Sequence, residues 1–285
     1  MKIEEACVGC IINQSVRVAD AIHANAALKE ELTSSVETMS KSFSFAHTPP
    51  EIAADVYALM ARIAQKHDLY DALKKISTAK ALSFVPLLKE KISQSDDKLL
   101  TATKIAVAGN VIDLAAEVAF DLGEELAKIF DTAFAHDDFA LLQTQLQNAK
   151  TIVILGDNVG EHIFDFIFLQ TLQELYPNAS YAYFVRGTPI INDVTMQEAK
   201  EAGFESICEL VDSGVNTPGF TYSRANRHAQ ELFDAADLVI SKGMGNYECL
   251  TPSHRNNICF LLKVKCSVVA GSLDKNRGDI VCKMA

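Results

Sequence analysis

From residue 149 onward the apolar residues change their rhythm, and that change limits what the chain can fold into. TIVIL (151–155), SYAYFV (180–185), SICELV (206–211), DLVISK (237–242) and KCSVVA (265–270) are short runs rich in β-branched or aromatic residues, the pattern of strands. Helical spacing fills the intervals at 161–175, 194–202, 224–235 and 247–262. Strands that are apolar throughout and alternate with helices predict a parallel sheet covered on both faces. Right-handed crossovers then give a doubly wound sheet, whose strands end along one edge where ligands bind.

The first 148 residues predict helices almost throughout. Expected stretches are 11–25, 28–41, 69–91, 96–110, 114–130 and 139–148, with Pro86 breaking or kinking the third. Thr48-Pro49-Pro50-Glu51 is a helix start: threonine caps, proline suits the first turn, and glutamate suits the positive end of the dipole. Ile52, Val56, Leu59, Met60 and Ile63 then follow at helical spacing. The division falls at a helical part, 1–148, and an α/β part, 149–285. The Gly- and Pro-containing loop DSGVNTPGF (212–220) leaves a strand end and is a candidate substrate loop or lid.

Composition excludes some functions. A net charge of −11, from 26 Lys+Arg against 37 Asp+Glu, opposes general nucleic-acid binding, which needs a basic surface. A small anionic substrate is still compatible, because a bound cation and a few basic side chains reverse the local potential. Seven cysteines with no secretory signal, and no apolar run of membrane-spanning length, predict reduced thiols in a cytoplasmic protein away from membranes. The sequence is silent on oligomeric state.

Polar clusters sit where the predicted strands end. Asp157, Asn158 and Glu161 follow TIVIL, Arg186 and then Asp193 follow SYAYFV, and Lys242 ends DLVISK. Asp157 and Asn158 offer hard oxygens for Mg²⁺ or Mn²⁺, and the amides of the following helix start can hold a phosphate oxygen. Helix capping competes as an explanation for Asp157, Asn158 and Asp193, with Thr195 a rival cap for the last. Arg186 can hold phosphate or pair with a carboxylate such as Glu161. Lys242 can neutralise phosphate charge or lie solvated at a loop edge. Neither a Walker loop nor G-x-G-x-x-G after a strand is present. Asn110 and Asp113 interrupt an apolar stretch and can reach the crevice between the two parts, and Cys7 and Cys10 form a lone Cys-x-x-Cys. His67-Asp68 and His136-Asp137 are better explained as surface or capping residues than as a histidine–aspartate metal site.

Taken together these segments resemble the damage-control phosphatases, formerly a domain of unknown function, in the small prokaryotic branch carrying Cys-x-x-Cys. The resemblance is carried by Gly156-Asp157-Asn158-Val159-Gly160-Glu161, Arg186-Gly187 with Asn192-Asp193, and Lys242-Gly243-Met244-Gly245-Asn246-Tyr247-Glu248. Pro49-Pro50-Glu51-Ile52, Gly109-Asn110-Val111-Ile112-Asp113 and Leu262-Lys263-Val264-Lys265-Cys266 extend it across nearly the whole chain. It implies a Rossmann-like three-layer α/β/α sheet with an N-terminal all-helical domain. It also implies a divalent metal (Mn²⁺, Mg²⁺, Co²⁺ or Ni²⁺) on Asp157, Asn158 and Asp193, with Lys242 on the phosphate. Glu161, Arg186 and Asn110 fall in substrate-binding motifs. Met244 departs from the polar residue expected in the lysine loop.

The expected activity is metal-dependent hydrolysis of small phosphorylated metabolites, either sugar phosphates or damaged phosphometabolites, with Asp157 and Lys242 catalytic. Whether water or Asp157 itself attacks phosphorus stays open. Two other classes compete: a non-catalytic nucleotide or sugar-phosphate binder, and a thiol-linked redox or metal-handling protein using Cys7 and Cys10.

Overall fold

The computed structural model describes residues 1–111, 128, 130–251 and 255–285. Helices α1 (Glu5–Ala21), α2 (Ala26–Ser40), α3 (Pro49–Ala64), α4 (Asp71–Ser93) and α5 (Lys98–Val111) come first. Then follow β1 (His136–Asp137), α6 (Phe139–Asn148), β2 (Thr151–Leu155), α7 (Glu161–Leu175), β3 (Ser180–Val185), α8 (Met196–Glu201) and β4 (Glu209–Asp212). The chain closes with α9 (Arg227–Ala235), β5 (Leu238–Lys242), α10 (Gly243–Leu250), β6 (Ile258–Lys263), α11 (Ser267–Leu273) and β7 (Ile280–Met284).

The strands form one seven-stranded sheet in the order β1-β7-β6-β5-β2-β3-β4. Strands β2 to β6 are mutually parallel, and β7 enters antiparallel beside β6. Period-two alternation distributes each strand between two cores. Ile152, Ile154, Tyr181, Tyr183, Leu238 and Ile240 face the core covered by α4, α5, α6 and α7. Val153, Leu155, Ala182, Phe184 and Val239 face the one covered by α9, α10 and α11. Both faces are buried, which explains why these strands carry no polar alternation; each fully buried Val, Leu, Ile or Phe contributes about 1.5–3 kcal/mol. A third apolar cluster joins α1, α2 and α3 and takes in Ile190 from the loop after β3.

Several local expectations hold. Thr48 caps α3 in a reciprocal capping box with Glu51. The strand TIVIL and helix 161–175 appear with the expected bounds.

Others are corrected. Of the break or kink expected at Pro86, the break does not occur, since α4 runs through it; the carbonyl left without a helical donor belongs to Leu82, an exposed residue. The expected helix over 247–262 is instead the short α10 followed by strand β6. A buried apolar run such as ICFLLK reads alike in either state from sequence alone. KCSVVA is not a strand: Cys266 accepts a hydrogen bond from the Val269 N–H and opens α11. The second C-terminal strand is IVCKM, β7. The helix expected over 114–130 and Asp113 lie outside the described residues, apart from 128 and 130.

After β4 the chain crosses back to lay β5 on the other side of β2. The strand order therefore reverses between β2 and β5, and this switch point opens a crevice at their carboxyl ends.

Candidate active site

Asp157 leaves the end of β2 through Gly156, where a Cβ would meet the Tyr183 hydroxyl at 2.6 Å. Two loops are then stitched together. Val159 N–H donates to the Asn192 carbonyl (2.8 Å) and Val194 N–H to the Asp157 carbonyl (2.9 Å). This short antiparallel bridge pairs Asn158 with Asp193. Just before it, Ile191 adopts φ 49°, a left-handed conformation that a β-branched residue takes only at a cost of about 1–3 kcal/mol when its surroundings impose it. Gly243 at the start of α10 completes the fit: with φ 76°, it has no Cβ where one would stand 1.9 Å from Asp157 Oδ2.

None of the three proposed metal ligands caps a helix. Gly160 precedes α7 with no side-chain cap, and Thr195 caps α8 in a capping box with Glu198. The two carboxylates and the amide are therefore free of the role that competed for them in sequence.

Asp157, Asn158 and Asp193 line a cavity of about 280 Å³. Cys7, Cys10, Ile11 and Gln14 of α1, Pro50, Ala53 and Tyr57 of α3, and Ile191 form the helical side of its wall. Pro218, Met244, Glu248, Lys265 and Cys266 contribute from the sheet side. The loop over 212–220 is clamped rather than open: Phe220 N–H donates to Asn246 Oδ1 (2.7 Å), and a Cβ on Gly245 would meet the Pro218 carbonyl oxygen at 1.9 Å. It adds Pro218 to the wall.

Behind the cavity lies a buried polar layer. Arg186 is 1% exposed; its Nε donates to Asp193 Oδ2 (2.7 Å), and its Nη2 lies 3.8 Å from Asp157 Oδ1 and 3.3 Å from Asn246 Oδ1. Asn158 Nδ2 donates to Asp157 Oδ2 and to Glu161 Oε1, both at 2.8 Å. Lys242 is fully buried, ion-paired with Asp165 and 3.8 Å from Glu161 Oε2. Asp165 also accepts from the Tyr183 hydroxyl (2.9 Å). Asn246 Nδ2 ties the strand ends together through the carbonyls of Lys242 (2.7 Å) and Gly156 (3.1 Å).

Lys242, Arg186 and Glu161, expected on the phosphate or in structural pairs, are buried in ion pairs and are not among the residues lining this cavity; Arg186 lines a second cavity of about 260 Å³ with Asp68, Thr195 and Glu198. Asn110 belongs to α5 by its backbone, and its side chain lies outside the described residues. The neighbouring Gly109 brings α5 against the start of α7, where a Cβ would approach Glu161 Cα to 3.0 Å.

Lys265, Glu248 and Asp165 had no role assigned from sequence. Lys265 follows β6, so the strand-end logic that found Asp157 applies to it equally. A misplaced strand hid it. Asp165 lies four residues after Glu161 on the same helical face.

Electrostatics favour a cation at this place. Burial pushes the Asp157 carboxyl up to about 7, with the Asp193 charge adding and Arg186 opposing. Glu161 is also raised to about 7, by burial and then by Asp157. Burial raises Asp193 to about 6 against the pull of Arg186. Burial alone would lower Lys242, but Asp165 and Glu161 outweigh it and raise its pKa. Two buried carboxylates and an amide are a hard-oxygen set suited to a divalent cation. Among the described residues no three His, Cys, Asp or Glu side chains gather around one point as metal ligands. A site here therefore depends on the Asn158 amide as its third donor.

A family model for the damage-control phosphatase ARMT1-like domain matches residues 3–281. The chain belongs to that family. Among its relatives, damage-control phosphatase PH1575 of Pyrococcus horikoshii is 30% identical over 99% of this chain and 98% of its own length. A damage-control phosphatase of Archaeoglobus fulgidus is 28% identical over 100% and 99%. The crystal structure of PH1575, described as a DUF89 family protein, superposes with a TM-score of 0.91 at 28% identity, covering 100% of this chain and 99% of that one. The family membership makes this chain a phosphatase relative, and the mixed α/β architecture is that of the PH1575 fold. Among the described residues no helix is long and apolar enough to cross a membrane.

Proposed function

We propose that this chain is a metal-dependent phosphomonoester hydrolase acting on small phosphorylated metabolites, either sugar phosphates or damaged phosphometabolites. The observation that carries the proposal is the pairing of Asp157, Asn158 and Asp193 at the switch point, on the wall of one cavity and free of any capping role. These three residues hold a divalent cation (Mn²⁺, Mg²⁺, Co²⁺ or Ni²⁺), which when bound supplies Lewis-acid polarisation of a phosphoryl oxygen.

The chain's own residues do the rest. Arg186 fixes the Asp193 carboxylate through its Nε. Asn158 is oriented by Asp157 and Glu161 so that its amide oxygen is turned away from both acceptors. Lys242 holds Asp165 and balances Glu161 from behind. Lys265, exposed at the cavity wall, is the ammonium placed to meet phosphate charge. The apolar surface of Ile11, Pro50, Ala53 and Val268 thins the water around the organic part of the substrate.

Phosphate release from a panel of phosphomonoesters, with each metal added in turn, tests the reading. Asp157→Ala and Asp193→Ala should each abolish metal-stimulated turnover. Full activity in both variants would sink the site assignment. Saturable substrate binding with no turnover under any metal would favour a non-catalytic binder instead.

A further inference from the structure

Hydrolysis of an alkyl phosphate leaves the departing oxygen as an alkoxide unless a proton reaches it as the P–O bond breaks. Asp157 and Asp193 cannot supply that proton while they hold a cation. Among the described residues the cavity wall carries one more carboxyl, Glu248. It projects from α10 one turn beyond Met244, so the two share a helix face, and both line the cavity. Helix α10 starts at Gly243, against the Asp157 carboxylate. Five residues at about 1.5 Å each put Glu248 roughly 7.5 Å farther along the axis. Asp157 and Glu248 thus line one cavity of about 280 Å³, large enough for a phosphate and its ester oxygen.

The groups around Glu248 come from four elements. The Met1 amine donates to its carbonyl, and Cys7 and Cys10 of α1, Asp157 at the end of β2, and Lys265 with Cys266 after β6 line the same cavity. Its own neighbour Cys249 lies beside it on α10. Burial pushes the Glu248 carboxyl up to about 7; the Met1 amine opposes this and Asp157 adds to it. Cys7, Cys266 and Tyr57 on the same wall are raised away from neutrality by burial.

Resting on the phosphomonoester reading above, we propose that Glu248 is the general acid for the leaving alcohol. As the P–O bond breaks, its electron pair stays on the ester oxygen and forms the new O–H bond with the Glu248 proton. Glu248 is left as a carboxylate; the water that attacks phosphorus from the opposite side releases its proton to solvent, from which Glu248 is reprotonated before the next turnover, so one water is consumed and no redox partner is needed.

The test compares leaving groups on the Mn²⁺-loaded full chain. Glu248→Gln keeps the side-chain volume and removes the exchangeable acid. Turnover of a hexose phosphate should fall about 100-fold or more, whereas 4-nitrophenyl phosphate, whose phenolate leaves without a proton, should stay within about threefold. Equal losses on both substrates would overturn the assignment. A second measurement needs no variant: in the unaltered chain, the ratio of hexose-phosphate to nitrophenyl-phosphate turnover should decline as pH rises above about 7. A flat ratio would also overturn it. If the unaltered chain hydrolyses neither ester with any of the four metals, the phosphatase reading itself fails, and this inference with it.

Discussion

Replacing Lys242 by methionine separates a structural ammonium from one that touches phosphate. Methionine keeps the length of the stem and removes the charge. In the native chain Lys242 is fully buried, ion-paired with Asp165, with Glu161 Oε2 3.8 Å away. Removing one partner from a buried pair strands the other, at a cost of about 3–5 kcal/mol. Glu161, already raised to about 7, can take up a proton and relieve part of this, which puts the loss near the lower figure. For a chain of this size each kcal/mol moves Tm by about 2–4 °C, so the expected fall is about 6–12 °C. The sign with pH follows from Glu161: it is charged above about 7, so the loss is larger at pH 8 and shrinks as pH falls through about 7. Scanning calorimetry at pH 8 and pH 6 measures both. Adding Asp165→Asn to Lys242→Met should restore much of the stability, because the stranded charge goes with it. A variant with native Tm and a raised KM would refute the reasoning and put the ammonium on the substrate.

Three further outcomes are expected. Gly243→Ala places a Cβ 1.9 Å from Asp157 Oδ2 at φ 76°; it should cost about 1–2 kcal/mol in backbone strain and lower kcat/KM about 100-fold through the displaced carboxylate, read by Tm and steady-state kinetics. Folded Asp157 and Asp193 hold protons up to about 7 and about 6, well above their ordinary value of 3.8. Their contribution in the metal-free chain therefore falls as pH rises from the ordinary carboxylate range towards 7. A divalent cation displaces those protons, so its stabilisation (about 2.7 kcal/mol at a hundredfold excess over Kd) should be greater at pH 8 than at pH 5.5. A larger thermal shift at pH 5.5 would count against the ligand set. Cys7→Ser with Cys10→Ser should keep metal-dependent turnover and change stability by no more than about 1 kcal/mol, since Cys10 is exposed and Cys7 half-buried; loss of turnover in this variant, with Asp157→Ala active, would move the chemistry to the thiols.

Much of the architecture is written in local pattern. The short runs TIVIL and SYAYFV, without polar alternation, announce strands buried on both faces, and Thr48-Pro49-Pro50-Glu51 announces a capped helix, because backbone geometry and capping chemistry act over a few residues. The same locality exposed Asp157, Asn158 and Asp193 as strand-end polar residues. It could not say whether they cap helices, and it misassigned ICFLLK as helix and KCSVVA as strand, because short runs of this kind suit either state. Tertiary packing decided those points. It paired Asn158 with Asp193 across two loops, gave the capping of α8 to Thr195, and pressed Gly243 against Asp157. It also divided the polar residues into two layers. Lys242, Arg186 and Glu161 were drawn into buried ion pairs behind the cavity, while Lys265 and Glu248 reached its wall. Distance in space and access to solvent set the role of a charged side chain, and both depend on contacts between segments far apart in the sequence. The sequence by itself determined which chemistry was available at the strand ends; the fold decided which of those groups face the cavity.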